Sequence, residues 1–166
     1  MSKRVFLPLL IICTGLFGIN QQELIEICKV YGMSQERAKY FTAELITQCT
    51  LANFNPMIMF NLAIAESGLK NIKGDNGKAI GYFQLHKETV WFVKSYYKLE
   101  HIPKDFDSLL TRIDLQIEIA VLYMKYLLDR YGSLEKALEK WNGSAKYVTY
   151  YKNVCDYIER NFLKEN

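Results

Sequence analysis

Asn55-Pro56-Met57-Ile58-Met59-Phe60-Asn61-Leu62-Ala63-Ile64-Ala65-Glu66-Ser67-Gly68 is the stretch on which the fold turns. Asn55 before Pro56 reads as an N-cap followed by proline at the first helical position, where a missing N–H costs nothing. Gly68 supplies the stop, because glycine readily takes the left-handed conformation that ends a helix. Between these signals, Met57 to Ala65 is apolar nearly all round. A helix without a polar face belongs inside, so this one is expected to be the central, buried helix.

Outward from that segment the pattern stays helical. Residues 21–31 place Leu24, Ile27 and Cys28 on one face, and Gly32 ends them. Ser34 caps a second helix with an apolar face through Phe41, Leu45 and Ile46. Thr89 to Tyr97 reads as a short helix. Asp107 or Ser108 opens a long one reaching Arg130, with Leu109, Ile113, Ile117, Ala120, Val121 and Met124 at helical spacing. Gly132 breaks it, Ser133 starts another through Trp141, and a last helix spans about Lys146 to Phe162. Residues 70–86 are irregular and compatible with a small hairpin. The expected class is therefore all-α, mainly helical, in one compact domain over residues 20–166. Internal repeats and low-complexity linkers are absent from the sequence.

The chain has 166 residues, of which 50% are hydrophobic and 23% charged, enough apolar mass for one globular core. Its formal charge is +3, and Lys3 and Arg4 supply two of those charges. No dense basic run exists, so nucleic acid is not the expected partner. The opening Met1-Ser2-Lys3-Arg4 precedes a short apolar run from Val5 to Ile19. A basic start and a run too short to span a bilayer comfortably read as a signal peptide over residues 1–19, or else as an anchor. Export to the periplasm or beyond follows. Cys13 stands after a bulky Ile12, a poor fit to a lipidation site. Cys28, Cys49 and Cys155 lack the paired spacing of a zinc site, and His86 and His101 stand far apart. No metal or cofactor is called for, and the thiols read as small buried side chains.

Glu66 breaks the pattern. It is the only charged residue between Glu44 and Lys70, and it follows directly on the apolar helix. A carboxylate near a buried apolar helix must be paired or keep its proton. It also lies in the last turn, where the negative end of the helix dipole disfavours ionisation. A raised pKa is what a general acid needs near neutral pH. The same position also suits a residue that simply marks the solvated end of a helix. The segment Gly74-Asp75-Asn76-Gly77-Lys78-Ala79-Ile80-Gly81-Tyr82-Phe83-Gln84 follows, with three glycines in eight residues from Gly74 to Gly81. Asn76-Gly77 is a turn signal, and glycines of this density permit close backbone approach. Such a loop would cross the helix end or form one wall of a cleft.

Together these residues resemble the lysozyme-like lytic transglycosylase family, in its soluble-lytic-transglycosylase type of domain. Ala65-Glu66-Ser67-Gly68 resembles the family's Glu-Ser motif. Gly81-Tyr82-Phe83-Gln84 resembles its Gly-Leu-Met-Gln motif, with Ala79 at the preceding small position. Trp141-Asn142-Gly143 resembles the Ala-Tyr-Asn-Ala-Gly element, with Trp for Tyr and one small residue missing. Tyr150 looks like the tyrosine of the final helix that supports the acid. The motifs stand in family order across about residues 40–160.

The resemblance implies an α-helical lysozyme-like fold of the α+β superfamily, with a substrate cleft. It implies a monomeric enzyme that cuts peptidoglycan between N-acetylmuramic acid and N-acetylglucosamine and leaves a 1,6-anhydromuramyl end. Glu66 would act first as acid and then as base, with Tyr150 holding it. Ser67, Ala79, Tyr82, Phe83, Gln84 and Asn142 would contact substrate. A secretion, conjugation or motility apparatus is the partner the family suggests. Two other readings stand beside this one. A hydrolytic lysozyme would use Asp75 as a second carboxylate, although Asp75 also suits the turn at Asn76-Gly77. A wall-binding or assembly factor would keep the fold without turnover.

Overall fold

The structure is a computed structural model that describes residues 20–163. It is a mainly helical domain with a small three-stranded antiparallel sheet that does not close into a barrel. In chain order the elements are α1 (Gln21–Val30), α2 (Gln35–Leu51), α3 (Pro56–Ser67), β1 (Lys73–Gly74), β2 (Ala79–Ile80), β3 (Leu85–His86), α4 (Lys87–Tyr96), α5 (Ile113–Tyr131), α6 (Leu134–Asn142) and α7 (Ala145–Phe162). Short 3₁₀ turns cover Asp107–Thr111 and Asp75–Gly77. The signal-peptide reading falls on residues 1–19, outside the described residues.

The local signals act where the sequence places them. Asn55 Oδ1 accepts from the Met57 N–H at 2.9 Å, and Gly68 ends α3 at φ 60°. Ser34 accepts from the Arg37 N–H, and Ser133 accepts from the Lys136 N–H. Each cap satisfies an N–H that the first helical turn leaves without a partner. The apolar run of α3 is buried from Met59 through Ile64, and α3 packs against α2 and α7. Its neighbours bring Phe41, Leu45, Phe83, Ile117 and Ile158 into the same continuous core.

Two boundaries differ from expectation for identifiable reasons. The long helix expected from Asp107 or Ser108 begins at Ile113, after Arg112 at φ −117°, ψ 75°. The carbonyls that a continuous helix would use are taken by side chains. Gln116 Nε2 donates to the Leu109 carbonyl at 2.7 Å, and Asn71 Nδ2 donates to that of Leu110 at 2.7 Å. Helix α4 begins at Lys87 rather than Thr89, directly after β3.

Residues 70–86 carry more sheet than a hairpin. β1 pairs with β2 in the register Lys73 with Ile80, and β2 pairs with β3 in the register Ile80 with Leu85. Between β2 and β3 the chain turns back over the end of α3, and this turn is held from both sides. Ser67 Oγ donates to the Tyr82 carbonyl at 2.8 Å, and the Tyr82 N–H donates to Gln116 Oε1 at 3.1 Å. Gln116 is fully buried, and its Nε2 also reaches Asn71 Oδ1 at 3.0 Å. A buried amide with every group paired is a rigid link, so α3 and α5 fix the position of this turn together.

Candidate active site

Glu66 lines a cleft of about 270 Å³. The end of α3 delivers Glu66, β2 and β3 deliver Ala79 and His86, the turns between the strands deliver Asp75 and Gln84, and the end of α6 delivers Trp141 and Asn142. The carboxyl is held by two donors. Trp141 Nε1 donates to Glu66 Oε1 at 3.0 Å, and the Tyr147 hydroxyl donates to the same oxygen. Both bonds converge on Oε1, so Oε2 is the oxygen for a transferable proton.

Burial pushes the Glu66 pKa above its ordinary value of 4.5, and the hydrogen bonds from Tyr147 and Trp141 offset part of that rise. This is the expected balance for a largely buried carboxyl, since desolvation penalises the charged form and donors favour it. The Tyr147 phenol is itself shifted upward, chiefly by burial and then by the neighbouring carboxylate. It therefore stays protonated and remains a donor to Glu66.

The structure brings some of the sequence candidates together and separates others. Glu66, Asp75, Ala79, Gln84 and Asn142 share the cleft. Tyr150 does not reach the acid: it is half exposed, and Tyr147 takes the place expected of it. The inward stripe of α7 runs through Tyr147, Tyr151 and Ile158, and Tyr150 lies off that stripe. Tyr82 and Phe83 are core residues with side chains 1% and 0% exposed, so neither ring is a substrate contact. Tyr82 packs on Phe41 with ring centroids 4.8 Å apart. Both backbone groups of Tyr82 are committed to Ser67 and Gln116, so they too are unavailable. Ser67 is a positioning residue rather than a cleft contact. Its hydroxyl donates to Tyr82 and accepts from the Lys70 N–H at 3.1 Å.

Gln84 reaches the cleft in a constrained form. Its backbone is left-handed at φ 45°, and its Nε2 donates to the carbonyls of Ile72 at 3.2 Å and Gly81 at 2.9 Å. Gly74 makes room for it: a Cβ at Gly74 would overlap the Gln84 amide oxygen. Asp75 and Asn76 are left-handed as well, at φ 46° and 54°. Non-glycine residues in this conformation store strain, and such positions gather at functional sites.

His86, Tyr147 and Gln116 carried no sequence motif. His86 Nε2 lies 4.0 Å from Asp75 Oδ2, and both side chains are about half exposed on the cleft. The i, i+4 spacing of Tyr147 and Tyr151 was the available signal for the inward tyrosines of α7. Among the described residues, no group of three His, Cys, Asp or Glu side chains is placed to hold a metal ion. No described helix is long and apolar enough to cross a membrane. Cys28, Cys49 and Cys155 are free thiols, the first two fully buried and Cys155 half-buried beside Asn61. No protein-family model, curated protein or solved structure matches this chain.

Proposed function

We propose that the protein is an exported lytic transglycosylase with a lysozyme-like fold that cleaves peptidoglycan glycan strands with Glu66 as its acid. The observation that carries this reading is the carboxyl of Glu66, raised in pKa by burial and held by Trp141 and Tyr147 in a polar cleft. A carboxyl in that state keeps its proton to higher pH than an ordinary one and can give it to a leaving oxygen. In the proposed reaction Glu66 protonates the glycosidic oxygen as the bond to the anomeric carbon breaks. The substrate's acetamido oxygen meets the developing positive charge. Glu66, now ionised, takes the proton of the muramyl 6-hydroxyl as that oxygen attacks the anomeric carbon. The product is an anhydro ring, and Glu66 ends protonated as it began. Asn142 supplies an amide, and Gln84 its amide oxygen, for acetamido or hydroxyl groups.

The test is digestion of purified peptidoglycan followed by mass spectrometry of the strand ends. Anhydromuramyl ends are the expected result. A folded protein that releases no fragments would count for a wall-binding role instead. A second reading is favoured by one specific observation, that Asp75 lines the same cleft as Glu66. In a hydrolase Asp75 would activate water, and the products would carry reducing ends. Under the transglycosylase reading, Asp75→Asn keeps anhydro products and changes the rate by less than about tenfold. Under the hydrolase reading it removes most activity.

Tyr147 supports a sharper prediction. Its hydrogen bond favours ionised Glu66, so Tyr147→Phe should raise the pKa of the acid further. The alkaline limb of the pH–rate profile, where Glu66 loses its proton, should move to higher pH. The maximal rate should fall about tenfold as the carboxyl loses its orientation. Tyr150→Phe should leave both the limb and the rate as they are. An unshifted limb in Tyr147→Phe would show that the phenol does not tune the acid.

A further inference from the structure

Asn76-Gly77 and Asn142-Gly143 are the two places where asparagine precedes glycine in this chain. The backbone nitrogen that follows an asparagine can attack the asparagine's own side-chain carbonyl carbon. A side chain on the following residue crowds that attack, and glycine has none. Asn53, Asn71, Asn153 and Asn161 are followed by Phe54, Ile72, Val154 and Phe162, which shield the nitrogen. Both Asn-Gly pairs border the cleft: Asn142 lines it, and Asn76 directly follows the lining residue Asp75.

The fold treats the two pairs differently. Gly143 caps α6, and its N–H donates to the Glu139 carbonyl at 2.7 Å, so the nitrogen after Asn142 is tied into a helix end. Asn76 and Gly77 are exposed on the connection between β1 and β2, in a single 3₁₀ turn. Hydrogen bonds hold the side-chain amides of Asn55, Asn61 and Asn71, whereas among the described residues none holds that of Asn76. Asp75, Asn76 and Gly77 are all left-handed, at φ 46°, 54° and 88°. Two of these are non-glycine residues in a conformation that costs energy. An exposed one-turn element of this kind opens at little cost. Once it opens, rotation about ψ of Asn76 brings the Gly77 nitrogen onto the side-chain carbonyl carbon.

We propose that Asn76 is a self-modification site, deamidated through attack by the Gly77 nitrogen with water as the only reagent. The Gly77 nitrogen gives its proton to solvent and bonds to the Asn76 side-chain carbonyl carbon. The bond from that carbon to the amide nitrogen breaks, and the nitrogen takes a proton and leaves as ammonia. Water then opens the resulting succinimide ring at one of its two carbonyls. Opening at the former side-chain carbonyl leaves aspartate. Opening at the main-chain carbonyl leaves isoaspartate, in which the backbone runs through the former side chain. No electrons are transferred, and the net change is amide and water to carboxylic acid and ammonia. Either product sets a second carboxylate beside Asp75 on the cleft. Isoaspartate also adds a carbon to the turn that joins β1 to β2, whose register is fixed by Lys73 with Ile80 and Gly74 with Ala79. The longer turn displaces Asp75 from its place 4.0 Å from His86. The modification depends on the turn alone and holds whatever substrate the cleft takes.

The test holds the folded protein in mildly alkaline buffer and follows its proteolytic peptides over time by chromatography and mass spectrometry. The Asn76 peptide should split into aspartate and isoaspartate forms that share the mass change of amide to acid. It should convert about tenfold faster than the Asn142 peptide, because α6 holds the second pair closed. In denaturant the two peptides should convert at similar rates, since the helix no longer protects Asn142. Conversion at Asn76 should quicken as pH rises, because the attacking nitrogen must lose its proton. Asn76→Gln lengthens the side chain and disfavours ring closure, so that variant should keep its charge on ion exchange while wild type turns more acidic. An Asn76 peptide that stays intact in the folded protein overturns the proposal. Equal conversion of Asn76 and Asn142 in the folded protein overturns it too, since the fold would then select neither.

Discussion

Glu66→Gln is expected to lower glycan-strand cleavage by about 10²- to 10⁴-fold while raising the melting temperature at pH values above the raised pKa of the folded carboxyl. The loss follows from chemistry alone. Glutamine keeps the shape and still accepts from Trp141 and Tyr147 through its amide oxygen, but it carries no proton of suitable acidity. The gain follows from linkage. Burial raises the folded carboxyl above its ordinary value, so the fold prefers the protonated form. That contribution is fully present below the carboxylate range of the unfolded chain and is lost as pH rises through the raised folded value. Above that raised value the wild type carries a partly buried charge that glutamine does not have. Thermal denaturation across pH should show the wild type losing stability through this window and the variant showing no such decline. A variant that keeps more than about a tenth of wild-type cleavage would remove Glu66 from the role of acid. Opposite signs for activity and stability are the mark of a residue placed for chemistry at the expense of the fold.

Gly81→Ala should destabilise the domain by about 3 kcal/mol or more, the largest effect expected from removing no contact at all. Gly81 sits at φ 77°, where a side chain costs energy whatever the space around it. The space is also taken, because a Cβ there would overlap the Gln116 amide oxygen. Gln116 cannot easily yield. Its oxygen accepts from Tyr82, and its nitrogen serves Leu109 and Asn71, all in or near the core. Moving it would leave buried polar groups without partners, each costing about 1–3 kcal/mol. Denaturant unfolding measures the loss directly. A midpoint within error of wild type would mean that the turn shifts freely and that Gln116 does not anchor it. Because the same turn carries Gln84 to the cleft, surviving Gly81→Ala protein should also have weakened glycan affinity.

The sequence by itself determined the helical frame. A stretch as apolar as Met57 to Ala65 has no outward face, and Asn55, Ser34, Ser133, Gly68 and Gly132 are local devices that need no tertiary partner to act. It also singled out Glu66, because a lone charge after such a helix is conspicuous in one dimension. Only the tertiary structure decided what surrounds that carboxyl. Tyr147 and Tyr150 are indistinguishable as letters three apart, and the rotation of α7 against α3 turns one toward Glu66 and the other to water. Tyr82 and Phe83 read as cleft residues but lie inward, because the turn before β3 is pinned by Ser67 and Gln116. Gln116 itself reads as an ordinary polar position in a long helix. Its partners lie 34 and 45 residues away in the chain, at Tyr82 and Asn71. Capping and amphipathicity are settled within a few residues, whereas the pairing of buried polar groups exists only once distant segments have packed.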